Sequence, residues 1–186
     1  GLYVVVGYRT ILTSTDGITW ISRTSGSSSH LYGTYYGNNT FVAVGQSGTV
    51  RTSSDNGATW DNGTSGTTKW LYEVAYGNST FVAVGQSGTH IYSGDDGISW
   101  SVGTWTPTVN ITGVAFGNNT FLGVSSTYLT KSTDNGANWV RACSGVRVYD
   151  MAFGNNKFVA VGMEGTILTS TDTESWIKRS SGIIVS

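Results

Sequence analysis

Glu73 and Asp150 occupy the same place in two copies of an internal repeat, where two other copies have Gly33 and Gly113. Two carboxylates facing each other across a narrow channel could carry out acid–base glycoside chemistry, with one group protonated, the other ionised and a separation of about 5 to 9.5 Å. Lys69 and Arg147 stand shortly before them, so a pair of solvated or salt-bridged channel residues is the plainer alternative. His30 and His90 form no metal or catalytic constellation. His90 falls where other copies have Ile11, Val50, Leu129 and Ile167, a core position that predicts a hydrogen-bonded interior imidazole. No GxGxxG, GxxxxGKS or GxSxG element is present, and no serine has a candidate triad. The single Cys143 excludes an internal disulfide and a cysteine-based zinc site. No metal and no cofactor is expected.

These side chains must be positioned by strands. Ser and Thr number 51, Gly 26 and Asn 12, against 9 Ala and 7 Leu among 186 residues, a composition poor in helix formers and rich in turn formers. With 12% aromatic residues and abundant Val and Ile, the expectation is an all-β protein. A formal net charge of −1 without a charge run argues against nucleic acid and anionic membranes as partners. No apolar stretch approaches spanning length, so no membrane insertion is expected. The chain opens at Gly1 without a signal-like segment, which reads as a mature or trimmed product, with a secreted or cell-surface setting favoured.

The repeat is explicit. FVAVGQSGT recurs unaltered at 41–49 and 81–89, and aspartates at 16, 55, 95, 134 and 172 each precede a tryptophan: Trp20, Trp60, Trp100, Trp139 and Trp176. The spacing of 38 to 40 residues between those aspartates suits one four-stranded propeller blade. In the third copy the strands are expected at 71–76, 80–85, 89–93 and 98–103. Residues 2–7 match a second strand, which leaves the first copy without an innermost strand, and Ile183 to Val185 are positioned to supply it. This predicts five blades: 1–27 with 183–186, 30–66, 70–104, 110–144 and 147–182, in a ring closed by the C-terminal strand.

The SxDxGxxW element, complete in Ser53, Asp55, Gly57 and Trp60, in Ser93, Asp95, Gly97 and Trp100, and in Ser132, Asp134, Gly136 and Trp139, resembles the Asp box, or bacterial neuraminidase repeat. Copies ending at Trp20 and Trp176 are one residue shorter, and Glu174 is read as replacing the turn glycine in the last. The resemblance implies a propeller of the kind seen in sialidases, other secreted glycosidases and a photosystem II assembly factor, without implying their chemistry. Its residues also read as structure: the aspartate accepts turn N–H groups, the glycine supplies positive φ and the tryptophan covers the loop. Sialidase activity is not expected, since none of the six arginines recurs in register.

Strand alternation places the GNNT turns and Asp boxes on one rim. The opposite rim varies between copies and offers His30, Gln46, Trp70, Gln86, Trp105 and Arg147, with Glu73 and Asp150 at the channel mouth. Aromatic faces and amides suit a sugar. The sequence therefore predicts a monomeric, non-catalytic module binding a glycan on the variable rim, with a protein or peptide ligand, or a glycoside hydrolase using Glu73 and Asp150, as alternatives.

Overall fold

The computed structural model describes residues 1–104 and 108–182, and these form an all-β structure of five antiparallel sheets. The first holds β1 (Tyr3–Gly7), β2 (Thr10–Ser14) and β3 (Ile21–Arg23). The second holds β4 (Leu31–Gly37), β5 (Thr40–Gly45), β6 (Val50–Ser53) and β7 (Asp61–Asn62). The third runs β8 (Leu71–Gly77), β9 (Thr80–Gly85), β10 (His90–Ser93) and β11 (Ser101–Val102), and the fourth β12 (Gly113–Gly117), β13 (Thr120–Val124), β14 (Tyr128–Ser132) and β15 (Val140–Ser144). The fifth is β16 (Val148–Gly154), β17 (Lys157–Gly162), β18 (Ile167–Ser170) and β19 (Ile177–Arg179). Each sheet pairs in sequence order, as a blade does. The expected closure by 183–186 lies outside the described residues, as do Trp105 and Pro107.

Alternation within the second strands builds the core. Val42 and Val44 face the third sheet, where Leu71, Val74, Phe81 and Ala83 receive them. One blade on, Val82 and Val84 pack against Ile111, Val114 and Phe121, and Leu122 and Val124 against Val148, Met151 and Phe158. Each strand thus buries both faces, one towards each neighbouring blade.

The outermost strand of the third blade is shorter than the sequence suggests. It begins at Ser101 rather than 98, because the Asp95 carboxylate accepts the Ser99 N–H at 3.0 Å and the Asp95 carbonyl accepts that of Ile98. Those donors are drawn into the turn and leave the ladder. The same bonding recurs. Ser53 Oγ accepts the Gly57 N–H at 2.9 Å and donates to Asp55 Oδ1 at 2.8 Å, and Trp60 Nε1 donates to the Gly57 carbonyl at 3.1 Å. In the short copies the serine reaches one residue less far, to Gly17 and to Thr173. Thr173, with φ of 66°, takes the left-handed position in the last copy, so the residue replacing the turn glycine is Thr173 and not Glu174. Across blades, Asn38 Nδ2 donates to Asp96 Oδ1 at 2.8 Å and Asn118 Nδ2 to the Thr171 carbonyl at 2.9 Å. GNNT turns and the aspartate hairpins therefore share a rim.

Candidate functional site

The opposite rim is built by a bulge. In β4, β8 and β16 the register slips between Leu31 and Gly33, Leu71 and Glu73, and Val148 and Asp150. The unpaired residue at each slip is a tyrosine, Tyr32, Tyr72 or Tyr149, and a bulge re-aims such a side chain out of the ladder. A continuous aromatic band results. Ring centroids run from Tyr8 to His30 at 4.4 Å, His30 to Tyr32 at 6.1 Å, and Tyr32 to both Trp70 and Tyr72 at 6.0 Å. Tyr8, His30, Tyr32 and Trp70 are exposed. Tyr72 Oη receives a hydrogen bond from Asn110 Nδ2 at 3.5 Å, extending the band towards the fourth blade.

His30 and Trp70, both expected at the site, lie in this band. Gln46 and Gln86 serve it from beneath. Their backbone N–H groups donate to the His30 and Trp70 carbonyls at 2.9 and 2.8 Å, and Gln86 Oε1 accepts the Trp70 N–H at 3.3 Å. A β-carbon on Gly85 would lie 1.9 Å from the Trp70 carbonyl oxygen, so only glycine lets the turn approach the link that presents the tryptophan. Met163 makes the same bond to the Arg147 carbonyl at 3.0 Å. Arg147 lines a separate pocket with Val146, Met163, Glu164 and Lys178. The tyrosines were missed because strand periodicity assigns LYG, LYE and VYD to an alternating ladder; their signal is an aromatic at one repeat position, directly after the buried Leu31, Leu71 and Val148.

The two carboxylates each reach towards the preceding blade. Glu73 Oε1 accepts the Val74 N–H at 3.1 Å and would lie 3.0 Å from a β-carbon on Gly33. Asp150 Oδ1 accepts the Met151 N–H at 2.7 Å and stands 3.6 Å from that point on Gly113. A side chain at 33 would thus run into Glu73, whereas one at 113 would be in ordinary contact with Asp150. Burial, with the charge of Asp150 as a smaller cause, lifts the Glu73 carboxyl to about 7, while the Val74 N–H pulls it back. Neither Lys69 nor Arg147 forms an ion pair with these acids among the described residues. His90 is the buried, hydrogen-bonded imidazole expected, with Nδ1 2.8 Å from the Gly88 carbonyl, while its Nε2 has no hydrogen-bond partner among the described residues.

No family model matches the chain, and no curated protein matches it. Among solved structures, a YCF48 bound to a D1 peptide superposes with a TM-score of 0.72 at 17% identity over 93% of this chain and 61% of that one. The RRP9 WD40 repeats give 0.73 at 8% identity, over 95% of this chain and 61% of theirs. A nidogen/laminin complex gives 0.71 at 11%, over 92% and 74%. The fold is a β-propeller. The chain spans about three-fifths of the YCF48 and RRP9 chains it matches. The propeller expected from the repeats is present, and its blade count is five.

Proposed function

We propose that this propeller is a non-catalytic protein- or peptide-binding module whose recognition surface is the aromatic band. The observation that carries the reading is the run of neighbouring, exposed rings Tyr8, His30, Tyr32 and Trp70 on one rim. Tyrosine and tryptophan present large contact area at low entropic cost, and such residues dominate binding hot spots. Support also comes from the neighbours: one YCF48 structure holds a peptide and the nidogen structure holds a protein partner. A glycan ligand would use the same rings, so it is the outcome against which this reading is tested. A hydrolase using Glu73 and Asp150 has less support, because each carboxylate is already bonded to the next backbone N–H of its own strand.

The test is a random peptide library and a glycan array screened in parallel, with chromogenic glycosides as a check on hydrolysis. Selected peptides should bind the unaltered protein and lose about thirtyfold in affinity with Tyr32→Ala or Trp70→Ala, at unchanged melting temperature. Saturable binding to an arrayed glycan with no peptide selected, or glycoside turnover lost in Glu73→Gln, would overturn it.

A further inference from the structure

Asparagine followed by glycine is prone to a reaction within the chain, because glycine has no side chain to hinder attack of its backbone nitrogen on the asparagine amide. A bond forms from that nitrogen to asparagine Cγ, the Cγ–Nδ2 bond breaks, and the proton of the glycine N–H leaves with the Nδ2 group as ammonia. Water then opens the cyclic imide to aspartate or isoaspartate. The chain holds three such pairs, Asn56-Gly57, Asn62-Gly63 and Asn135-Gly136. All three asparagines are exposed, so exposure does not rank them.

What ranks them is the partner of the glycine N–H. Gly57 donates to Ser53 Oγ and Gly136 to Ser132 Oγ, each at 2.9 Å. Each serine hydroxyl gives its own proton to the aspartate of its hairpin, Ser53 to Asp55 and Ser132 to Asp134, both at 2.8 Å, so its lone pairs are what the glycine meets. Both glycines are buried, and their carbonyls accept the indole N–H of Trp60 and Trp139 at 3.1 and 2.9 Å. The attacking residue is thus held at its nitrogen and at its carbonyl. Asn62-Gly63 has no such clamp. Gly63 N–H donates to the Val50 carbonyl at 3.2 Å, directly after β7, a strand of two residues at the outer edge of its sheet. A two-residue edge strand parts from its neighbour at little cost, whereas freeing Gly57 means opening the hairpin that seats Trp60.

We propose that Asn62 is the chain's site of spontaneous deamidation, and that Ser53 and Ser132 guard Asn56 and Asn135 against the same reaction. Each serine acts by accepting the one proton that the reaction must remove. The two outcomes differ in consequence. A carboxylate at 62 stands beside Asp61 on an exposed edge and opposite Arg51 in the ladder, where the blade tolerates it. Isoaspartate at 56 would lengthen the main chain inside the turn and pull Gly57 away from both Ser53 and Trp60. The serine therefore preserves the chemistry of the hairpin as well as its shape, a role independent of any ligand of the aromatic band.

Incubating the full chain in mildly alkaline buffer, then mapping its proteolytic peptides by mass and assaying isoaspartate, reads each site separately. Asn62 should convert first, with Asn56 and Asn135 slower by about fivefold or more. In denaturant the three rates should converge, since each asparagine precedes the same residue. Ser53→Ala should speed conversion at Asn56 by about fivefold and leave Asn135 of the same chain unchanged, and Ser132→Ala should reverse the two sites. Ser53→Thr keeps a hydroxyl and should restore the slow rate at Asn56. Conversion of Asn56 or Asn135 as fast as Asn62 in the folded chain overturns the proposal. So does a Ser53→Ala chain in which Asn56 keeps its rate or Asn135 rises with it.

Discussion

Glu73, half-buried, and His90, buried, have no ion-pair partner among the described residues, and both make stability depend on pH. Glu73 has its folded value raised to about 7 from 4.5, first by burial and then by Asp150. Between those values the folded chain binds more protons than the unfolded one, so stability is greatest below pH 4.5 and declines as pH rises through 7. Glu73→Gln keeps an acceptor for Val74 and removes the charge. It should stabilise the protein by about 1 kcal/mol at pH 8, after allowance for the group's partial exposure, and by nothing measurable at pH 4.5. Chemical denaturation at the two values checks this. His90 works in the opposite sense: burial lowers its folded value, so its contribution is intact above the usual 6.5 and lost as pH falls below it. His90→Ile installs the residue found at Ile11 and Ile167 and removes an unbonded Nε2. A gain of about 1 kcal/mol at pH 7, larger at pH 5, is expected, and a loss at both would show that the Gly88 bond outweighs the orphaned nitrogen.

At the scale of elements, the SxDxGxxW hairpins differ in a way the sequence announces and the geometry explains. In the three complete copies the tryptophan Nε1 donates to the turn glycine, at 3.1 Å for Trp60, 3.0 Å for Trp100 and 2.9 Å for Trp139, and the ring is buried. Deleting one loop residue shortens the reach. Trp20 is exposed and Trp176 Nε1 has no hydrogen-bond partner among the described residues. Trp60→Ala should therefore cost about 3–5 kcal/mol and Trp20→Ala about 1 kcal/mol or less, read as shifts in denaturation midpoint at constant slope. Asp55 is held down to about 2 by bonds from the Thr59 hydroxyl, the Thr59 N–H and Ser53. Its stabilising effect is present above the usual 3.8 and is lost as pH falls through 2, so Asp55→Ala should matter at pH 7 and not at pH 1.5. The hairpins were legible because turn chemistry is local. The bulges were not, since placing Tyr32, Tyr72 and Tyr149 outside the ladder depends on pairing between strands, and periodicity within one strand carries no trace of it. The alternation of Glu73 and Asp150 with Gly33 and Gly113 was visible, but the close approach of Glu73 that requires glycine at 33 comes from the neighbouring blade.

At the scale of the whole molecule, a period of 38 to 40 residues was enough to specify five blades, because each blade buries its faces only against copies of itself. The same logic makes identical residues unequal according to their place in the series. Gly77 and Gly154 end equivalent inner strands, yet the first holds the Phe116 ring and the second meets no neighbour among the described residues. A valine at 77 must displace that ring from a packed interface and should cost about 3 kcal/mol, whereas a valine at 154 should change stability by no more than about 0.5 kcal/mol. Paired thermal melts of Gly77→Val and Gly154→Val measure the difference directly. Equal costs for the two substitutions would show that Gly154 is packed as closely as Gly77.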